Sequence, residues 1–143
     1  MGLFSRMLED VRERNAEVER NRKLLVDDIV DTIRKNLINV ECLFVYAYLM
    51  SEEMKIVEPG MSSFDCIRYR FADHGFASPS NPERLAYDLA QRLNCDVVEV
   101  YNEKPDGGRD TLRGYRLDSR AAVQKRREEE ERRKRARGQL RRC

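Results

Sequence analysis

The single histidine, His74, stands in Asp73-His74-Gly75, and the four cysteines, Cys42, Cys66, Cys95 and Cys143, lie far apart along 143 residues. A Cys-His nucleophile pair needs Cys66 or Cys95 brought beside His74 in space, and nothing in the spacing requires that. Structural zinc sites pair their cysteines about two to four residues apart. No such pair occurs here, so no metal is expected and the thiols read as buried and inert. The chain has no phosphate-binding loop, no Gly-x-Ser-x-Gly elbow, no His-Glu-x-x-His helix and no dinucleotide fingerprint. Among its 26 carboxylates no pattern marks out an acid and a base. The residues point away from catalysis and from any cofactor, and toward binding.

Charge carries the stronger signal. Residues 1–119 hold 17 basic and 22 acidic side chains, a net of −5, whereas residues 120–143 hold 11 and 4, a net of +7. An acidic body with a basic terminus suits an anionic partner such as nucleic acid, or an acidic protein face. Within the terminus, Glu128, Glu129, Glu130 and Glu131 stand four residues before Arg132, Arg133, Lys134 and Arg135, the better orientation for helical ion pairs. Arg137, Arg141 and Arg142 follow with no further acid, so a helix from Ser119, an N-cap, concentrates positive charge at its tip and frays from Gly138.

The elements that position these groups follow from periodicity. Phe4, Val11, Val18 and Leu25 recur every seven residues in a stretch with no Pro, which predicts a long helix. Its first half is nearly all charge, so a stripe this narrow buries little within one chain. A second copy or a protein partner would cover it, but Arg14, Asn15, Asn21 and Arg22 stand where a coiled coil has Leu, and a plain solvent-edged helix is preferred. Leu25, Ile29, Ile33 and Leu37 then form a core-facing row, broadened by Leu24, Val26, Val30 and Ile38. Asn36 and Asn39 offer a stop and a fresh N-cap, and Val40, Leu43, Phe44 and Ala47 continue at helical spacing, predicting a second, buried helix to about Met54. Residues 42–50 are also rich enough in β-formers for a central strand, and helix is preferred. Pro59-Gly60 marks a turn. Residues 64–71 alternate, with Ile67, Tyr69 and Phe71 on one face and Arg68 and Arg70 on the other. Asn81-Pro82 opens a helix whose buried side is Leu85, Ala86, Leu89, Ala90 and Leu93. Residues 96–101 and 111–117 make an antiparallel hairpin around the turn 104–108.

Two binding folds compete for residues 64–137. In a winged helix the loop 104–109 is the wing on a phosphate backbone, although the helix 81–93 lacks the partner helix that fold places a tight turn before it. The order strand, helix, strand, strand, helix resembles the first five elements of an RNA-recognition-motif fold. Arg113-Gly114-Tyr115 resembles the opening of its third-strand motif, with Arg116 where that motif has Gly or Ala. The resemblance implies that Tyr115 stacks on bases. The preferred alternative packs Tyr69, Tyr101 and Tyr115 beneath the helices, with Gly114 marking a bulge.

The expected class is α+β: a charged helical arm over 1–23, a core domain over 24–118 that sets helices on a small, mostly antiparallel sheet, and a charged helix with a basic tail over 119–143. The expected function is non-enzymatic nucleic-acid binding through the tail, with Arg68, Arg70, Arg113 and Arg116 as further contacts. The alternative is an adaptor that assembles through its long helices. The most apolar run, 37–50, is broken by Asn39 and Glu41 and is too short for the roughly 20 residues that span a bilayer. No secretory leader opens the chain, and Arg6 spoils a myristoylation pattern, so no membrane partner and an intracellular location are expected.

Overall fold

The computed structural model describes residues 2–48, 50–62, 64–103 and 109–142. Helix α1 (Leu3–Lys35) is followed by strands β1 (Cys42–Tyr46), β2 (Glu53–Val57) and β3 (Ile67–Arg70). After these come helix α2 (Pro82–Leu93), strands β4 (Cys95–Glu103) and β5 (Arg109–Ser119), and helix α3 (Arg120–Arg142). The five strands form one sheet in the order β3-β2-β1-β5-β4, and every neighbouring pair is antiparallel. This is the expected α+β class.

The apolar row of α1 is buried as its spacing dictates except at Leu24, which is 57% exposed, and at Leu37. Leu25, Val26, Ile29, Val30 and Ile33 are buried, whereas residues before Arg22 lie along the surface of an arm. The row stops one turn short of its expected end. Asn36 closes the helix, the Ile38 amide donates to the Ile33 carbonyl at 3.0 Å, and Leu37 adopts a φ of +51° with its side chain in solvent. That is the helix-ending loop usually made by glycine, here carried by leucine at a cost of about 1–2 kcal/mol. Arg34 and Lys35 in the last turn complement the helix dipole.

Residues 40–54 correct the expected second helix: they supply β1 and the start of β2. Leu43 and Val45 point one way and Cys42, Phe44 and Tyr46 the other, a period of two that the helical spacing of Val40, Leu43, Phe44 and Ala47 disguises. Tertiary pairing decides between them. β1 is central, its Leu43 opposite Ile56 of β2 on one side and Leu117 of β5 on the other. Strand β3 is shorter than the alternation suggested. Ser62 and Asp65 fold back on each other through the Ser62 hydroxyl at 2.8 Å, and Phe64 is left exposed. The Pro59-Gly60 turn is present, with Gly60 at φ +83° and the Met61 amide donating to the Glu58 carbonyl at 3.0 Å. The expected turn over 104–108 lies outside the described residues.

Helix α2 is built as its caps dictate. The Asn81 carboxamide accepts from the Arg84 amide at 3.1 Å, Pro82 takes the first turn, and Asn94 ends the helix at φ +54°. Its buried side, Leu85, Ala86, Leu89 and Ala90, meets α1 and the sheet. Ion pairs tie the two helices across their outer edge: Arg22 Nε to Asp88 at 3.2 Å and Arg92 Nη1 to Asp27 at 2.5 Å. All sheet residues of the core cluster come from one face, including Leu43, Val45, Met54, Ile56, Tyr69, Tyr115 and Leu117. Among the described residues the other face of the sheet carries none of the core cluster.

Gly114 sits on that second face at an irregularity between β4 and β5. Val100 pairs with Gly114 and Tyr101 with Leu112, which leaves Arg113 as an extra residue on β5. The expected bulge is therefore present. A Cβ at Gly114 would stand 2.4 Å from the Val45 carbonyl oxygen and 2.7 Å from the Phe44 ring. The ring can turn aside, but the backbone oxygen belongs to a strand paired on both sides. Gly114→Ala should therefore destabilise the fold by about 1–3 kcal/mol, read as a lower urea midpoint. An unchanged midpoint would show that β1 and β5 can separate without cost.

Candidate nucleic-acid interface

Helix α3 grows directly from β5. The Ser119 hydroxyl accepts from the Ala122 amide at 3.4 Å, as an N-cap should, and the helix runs on through Gly138 to Arg142, beyond the expected fraying point. Two ion pairs anchor its base, Arg120 Nε to Asp96 at 2.9 Å and Arg126 Nη1 to Glu41 at 3.1 Å. Past Arg126 the described side chains are all exposed. At 1.5 Å per residue the helix extends about 24 Å beyond that last anchor.

Arg132, Arg133, Lys134, Arg135 and Arg137 lie on this projecting part. Successive residues turn by about 100°, so these five surround the helix rather than forming one stripe. The ion pairs expected from Glu128–131 to residues 132–135 do not form: among the described residues no carboxylate lies within ion-pair distance of these five cations. Exposed pairs of this kind gain only about 0.3–0.5 kcal/mol, too little to hold two long side chains together. Their cationic heads stay hydrated and open to another anion. The side chains of Arg141 and Arg142 lie outside the described residues.

The second expected element divides in two. Tyr115 is 6% exposed on the core face. Burial, followed by the Glu83 and Glu99 carboxylates nearby, raises its phenol above the usual range. No base can stack on it, so packing is its role. Arg113 lies on the opposite face, its guanidinium 5.8 Å from the centroid of the Phe44 ring. The likeness to an RNA-recognition motif also fails in topology. That fold sets its first and third strands side by side, but the matching strands here, β3 and β5, are separated by β2 and β1.

Sequence reasoning missed the aromatic content of this second face. Phe44 and Tyr46 pack edge to face, centroids 5.0 Å apart, and Lys55 Nζ lies 5.7 Å from the Tyr46 ring centroid. Asn102 donates to the Tyr48 hydroxyl at 3.4 Å at the far end of the row. Arg68 and Arg70 flank Glu53 at 3.8 and 3.9 Å, and Arg116 Nε meets Asp118 at 2.9 Å. The signal was the alternation of Phe44, Tyr46 and Tyr48, legible once residues 42–46 are read as a strand.

The expected partner-binding row also divides. Phe4 is 75% exposed and Val11 and Val18 are open to solvent, with Leu3, Met7 and Leu8 beside them. Leu25 is 3% exposed and belongs to the core, because α1 meets the sheet one heptad after Val18. It is no partner contact.

His74 meets a carboxylate rather than a thiol. Its Nδ1 lies 3.2 Å from Asp28, which also accepts from the Tyr69 hydroxyl, and the Tyr69 and His74 rings stack at 4.2 Å. Burial and then the Asp28 bond push the Tyr69 phenol far above its usual range. This cluster pins β3 and the 72–74 turn to α1. Among the described residues no group of three His, Cys, Asp or Glu side chains converges as a metal site would require, and no helix is long and apolar enough to cross a membrane. A surface groove of about 900 Å³ between α2 and β4 is lined by the ion pairs Arg84–Asp88 and Arg120–Asp96 together with Glu83.

Compared with known proteins, the chain matches no family model, no curated protein and no solved structure.

Burial, with Asp118 beside it, pushes the Cys42 thiol up to about 12, and burial with Asp118 and Asp96 raises that of Cys95. Both stay protonated near neutrality and are poor nucleophiles. A thiol raised in the folded state adds stability that is full below its unfolded value near 9.0 and disappears as pH climbs toward 12. Urea-derived stability should therefore fall between these limits, and less steeply in Cys42→Ser. At pH 8, iodoacetamide should label Cys42 and Cys95 far more slowly in the folded protein than in urea. Fast native labelling of Cys42, mapped by mass, would contradict this assignment.

Proposed function

We propose that this protein binds nucleic acid without catalysing a reaction on it, and that α3 makes the principal electrostatic contact. One observation carries the reading: five exposed cations encircle a helix that projects beyond its last anchor, and among the described residues no carboxylate lies within ion-pair distance of them. A ring of hydrated cations recognises a line of phosphates from any side and reads no base. Such binding is independent of sequence and strongly dependent on salt, because each phosphate contact releases condensed counterions.

Reversing Arg132, Arg133 and Lys134 to Glu tests the contact. These side chains touch nothing in the fold, so stability should stay within about 0.5 kcal/mol. Affinity for a labelled duplex should drop, and the slope of log affinity against log salt should become shallower by about 0.9 for each phosphate that is no longer neutralised. An intact protein that binds neither duplex nor single strand at low ionic strength overturns the proposal.

A second reading rests on a separate observation, the open apolar row of the arm. Phe4, Met7, Leu8, Val11 and Val18 place large hydrophobic side chains in water on a helix whose other faces are charged. A second copy of the arm would cover them and make the protein an assembly or adaptor module. The double substitution Phe4→Asp with Val11→Asp should leave the core folded and turn a concentration-dependent dimer into a monomer by sedimentation. Wild-type protein that sediments as a monomer at high concentration refutes this reading.

A further inference from the structure

We infer that the second face of the sheet is a stacking platform for unpaired bases, so that the preferred ligand is single-stranded nucleic acid. The inference deepens the proposed function and rests on it. Phe44, Tyr46 and Tyr48 occupy alternate positions from β1 into its continuation. Two residues of strand advance by about 6.7 Å, so Phe44 and Tyr46 stand side by side along the central strand, edge to face, and Tyr48 follows beyond the strand's end with its hydroxyl at Asn102 of β4. Phe44 and Tyr46 are half-buried and Tyr48 is exposed, and none contributes to the core.

Gly114 explains how the platform is built. It has no side chain, so the Phe44 ring lies against bare β5 backbone. The extra residue at the bulge, Arg113, is turned to the same side with its guanidinium over that ring. Lys55 from β2 stands in the same relation to Tyr46. Phe44 and Tyr46 thus each have a cation close by, one from either neighbouring strand. A base entering between ring and cation gains stacking below and a cation–π contact above, and its phosphate meets the same cation.

Charge identifies the occupant. The face carries Lys55, Arg68, Arg70, Arg113 and Arg116 against the carboxylates of Glu53, Asp96 and Asp118. The carboxylates take Arg68, Arg70, Arg116 and Arg120, but among the described residues Lys55 and Arg113 lie over aromatic rings with no acid beside them. An apolar protein segment laid across these rings would strip water from both cations and return nothing. A phosphate backbone supplies the missing anions. In a duplex the bases are already stacked on one another and their flat faces are closed to such rings.

Fluorescence anisotropy with labelled oligo-dT, oligo-rU and a DNA duplex of equal length provides the test, using full-length protein. Phe44→Ala and Tyr46→Ala should each weaken single-strand binding by about 5- to 100-fold, leaving duplex affinity and the salt slope almost unchanged. Phe44→Leu, which keeps an apolar cover on Gly114, should show the same selective loss and guards against misfolding of the alanine variant. Lys55→Glu with Arg113→Glu should also weaken single strands more than duplex. Equal effects on dT and rU place recognition in the base and phosphate, and a loss confined to either one still supports the platform. Unchanged single-strand affinity in all these variants, alongside loss of binding on reversing Arg132, Arg133 and Lys134, overturns the platform and leaves the α3 proposal standing. Loss of self-association in Phe44→Leu with no change in nucleic-acid affinity makes the face a protein interface and also overturns it. Failure of the intact protein to bind any of the three probes removes both.

Discussion

Strand β1 is the constraint on which the molecule depends. It lies third in a five-stranded sheet, bonded to β2 on one edge and β5 on the other, and it joins the β2–β3 half to the β4–β5 half. Its alternation fixes both faces at once. Leu43 and Val45 are fully buried against α1 and α2, and that register obliges Phe44 and Tyr46 to face away. A slip of one residue would exchange the two sets, putting Leu43 in water and wedging aromatic rings beneath the helices. The same hydrogen-bond ladder that builds the core therefore sets out the aromatic row.

The helices make the sheet one-sided. The last three turns of α1 and the buried side of α2 cover one face, and the Arg22–Asp88 and Arg92–Asp27 pairs hold the two helices edge to edge. Asp28 adds a third tie, through Tyr69 and His74, to the edge strand β3 and the turn behind it. These partly exposed pairs add less stability than the apolar cluster they border. They tie α1 to α2 and β3 just after the arm that carries Phe4, Val11 and Val18. The basic helix leaves from the β5 end of the same sheet under different anchors, Arg120–Asp96 and Arg126–Glu41. Two long helices thus project from one small core with separate supports.

The sequence was most legible where a local rule had no rival. Asn81-Pro82, the row from Leu85 to Ala90, the Pro59-Gly60 turn, the Ser119 cap and the core row of α1 all follow from caps and periods that tertiary contacts had no reason to override. Residues 42–46 were ambiguous for a physical reason. A central strand is apolar on one face and aromatic on the other, so it lacks the polar alternation that marks a half-exposed strand, and Val40, Leu43, Phe44 and Ala47 also fit a helical turn. The missing information was long-range: the partners Ile56 and Leu117 lie 13 and 74 residues away from Leu43. Misreading that segment hid Phe44, Tyr46 and Tyr48 and shifted attention to Tyr115, which shares β5 with Arg113 but points to the core. The division of the heptad row at Leu25 was hidden for a related reason, since periodicity reports which residues share a face and not where the body of the protein begins.

Charge and aromaticity do different work in the two proposed contacts. On α3 the cations surround a helix whose exposed surface is almost wholly polar, so attraction to a phosphate backbone would be long-ranged, screened beyond about 10 Å in ordinary salt, and blind to the form of the nucleic acid. On the sheet the cations are fewer and partly matched by Glu53, Asp96 and Asp118, so net attraction is weak, and contact depends on what reaches the rings. A projecting helix of strong field would capture a strand and raise its local concentration near the body. A flat face of weak field would then discriminate by whether bases are free to stack. The acidic balance of residues 1–119 would assist this division by repelling phosphates from the surface outside the basic helix and the cations of the sheet face. Selectivity in such an arrangement would reside in the sheet, and would follow from the register of β1 rather than from any base-specific hydrogen bond.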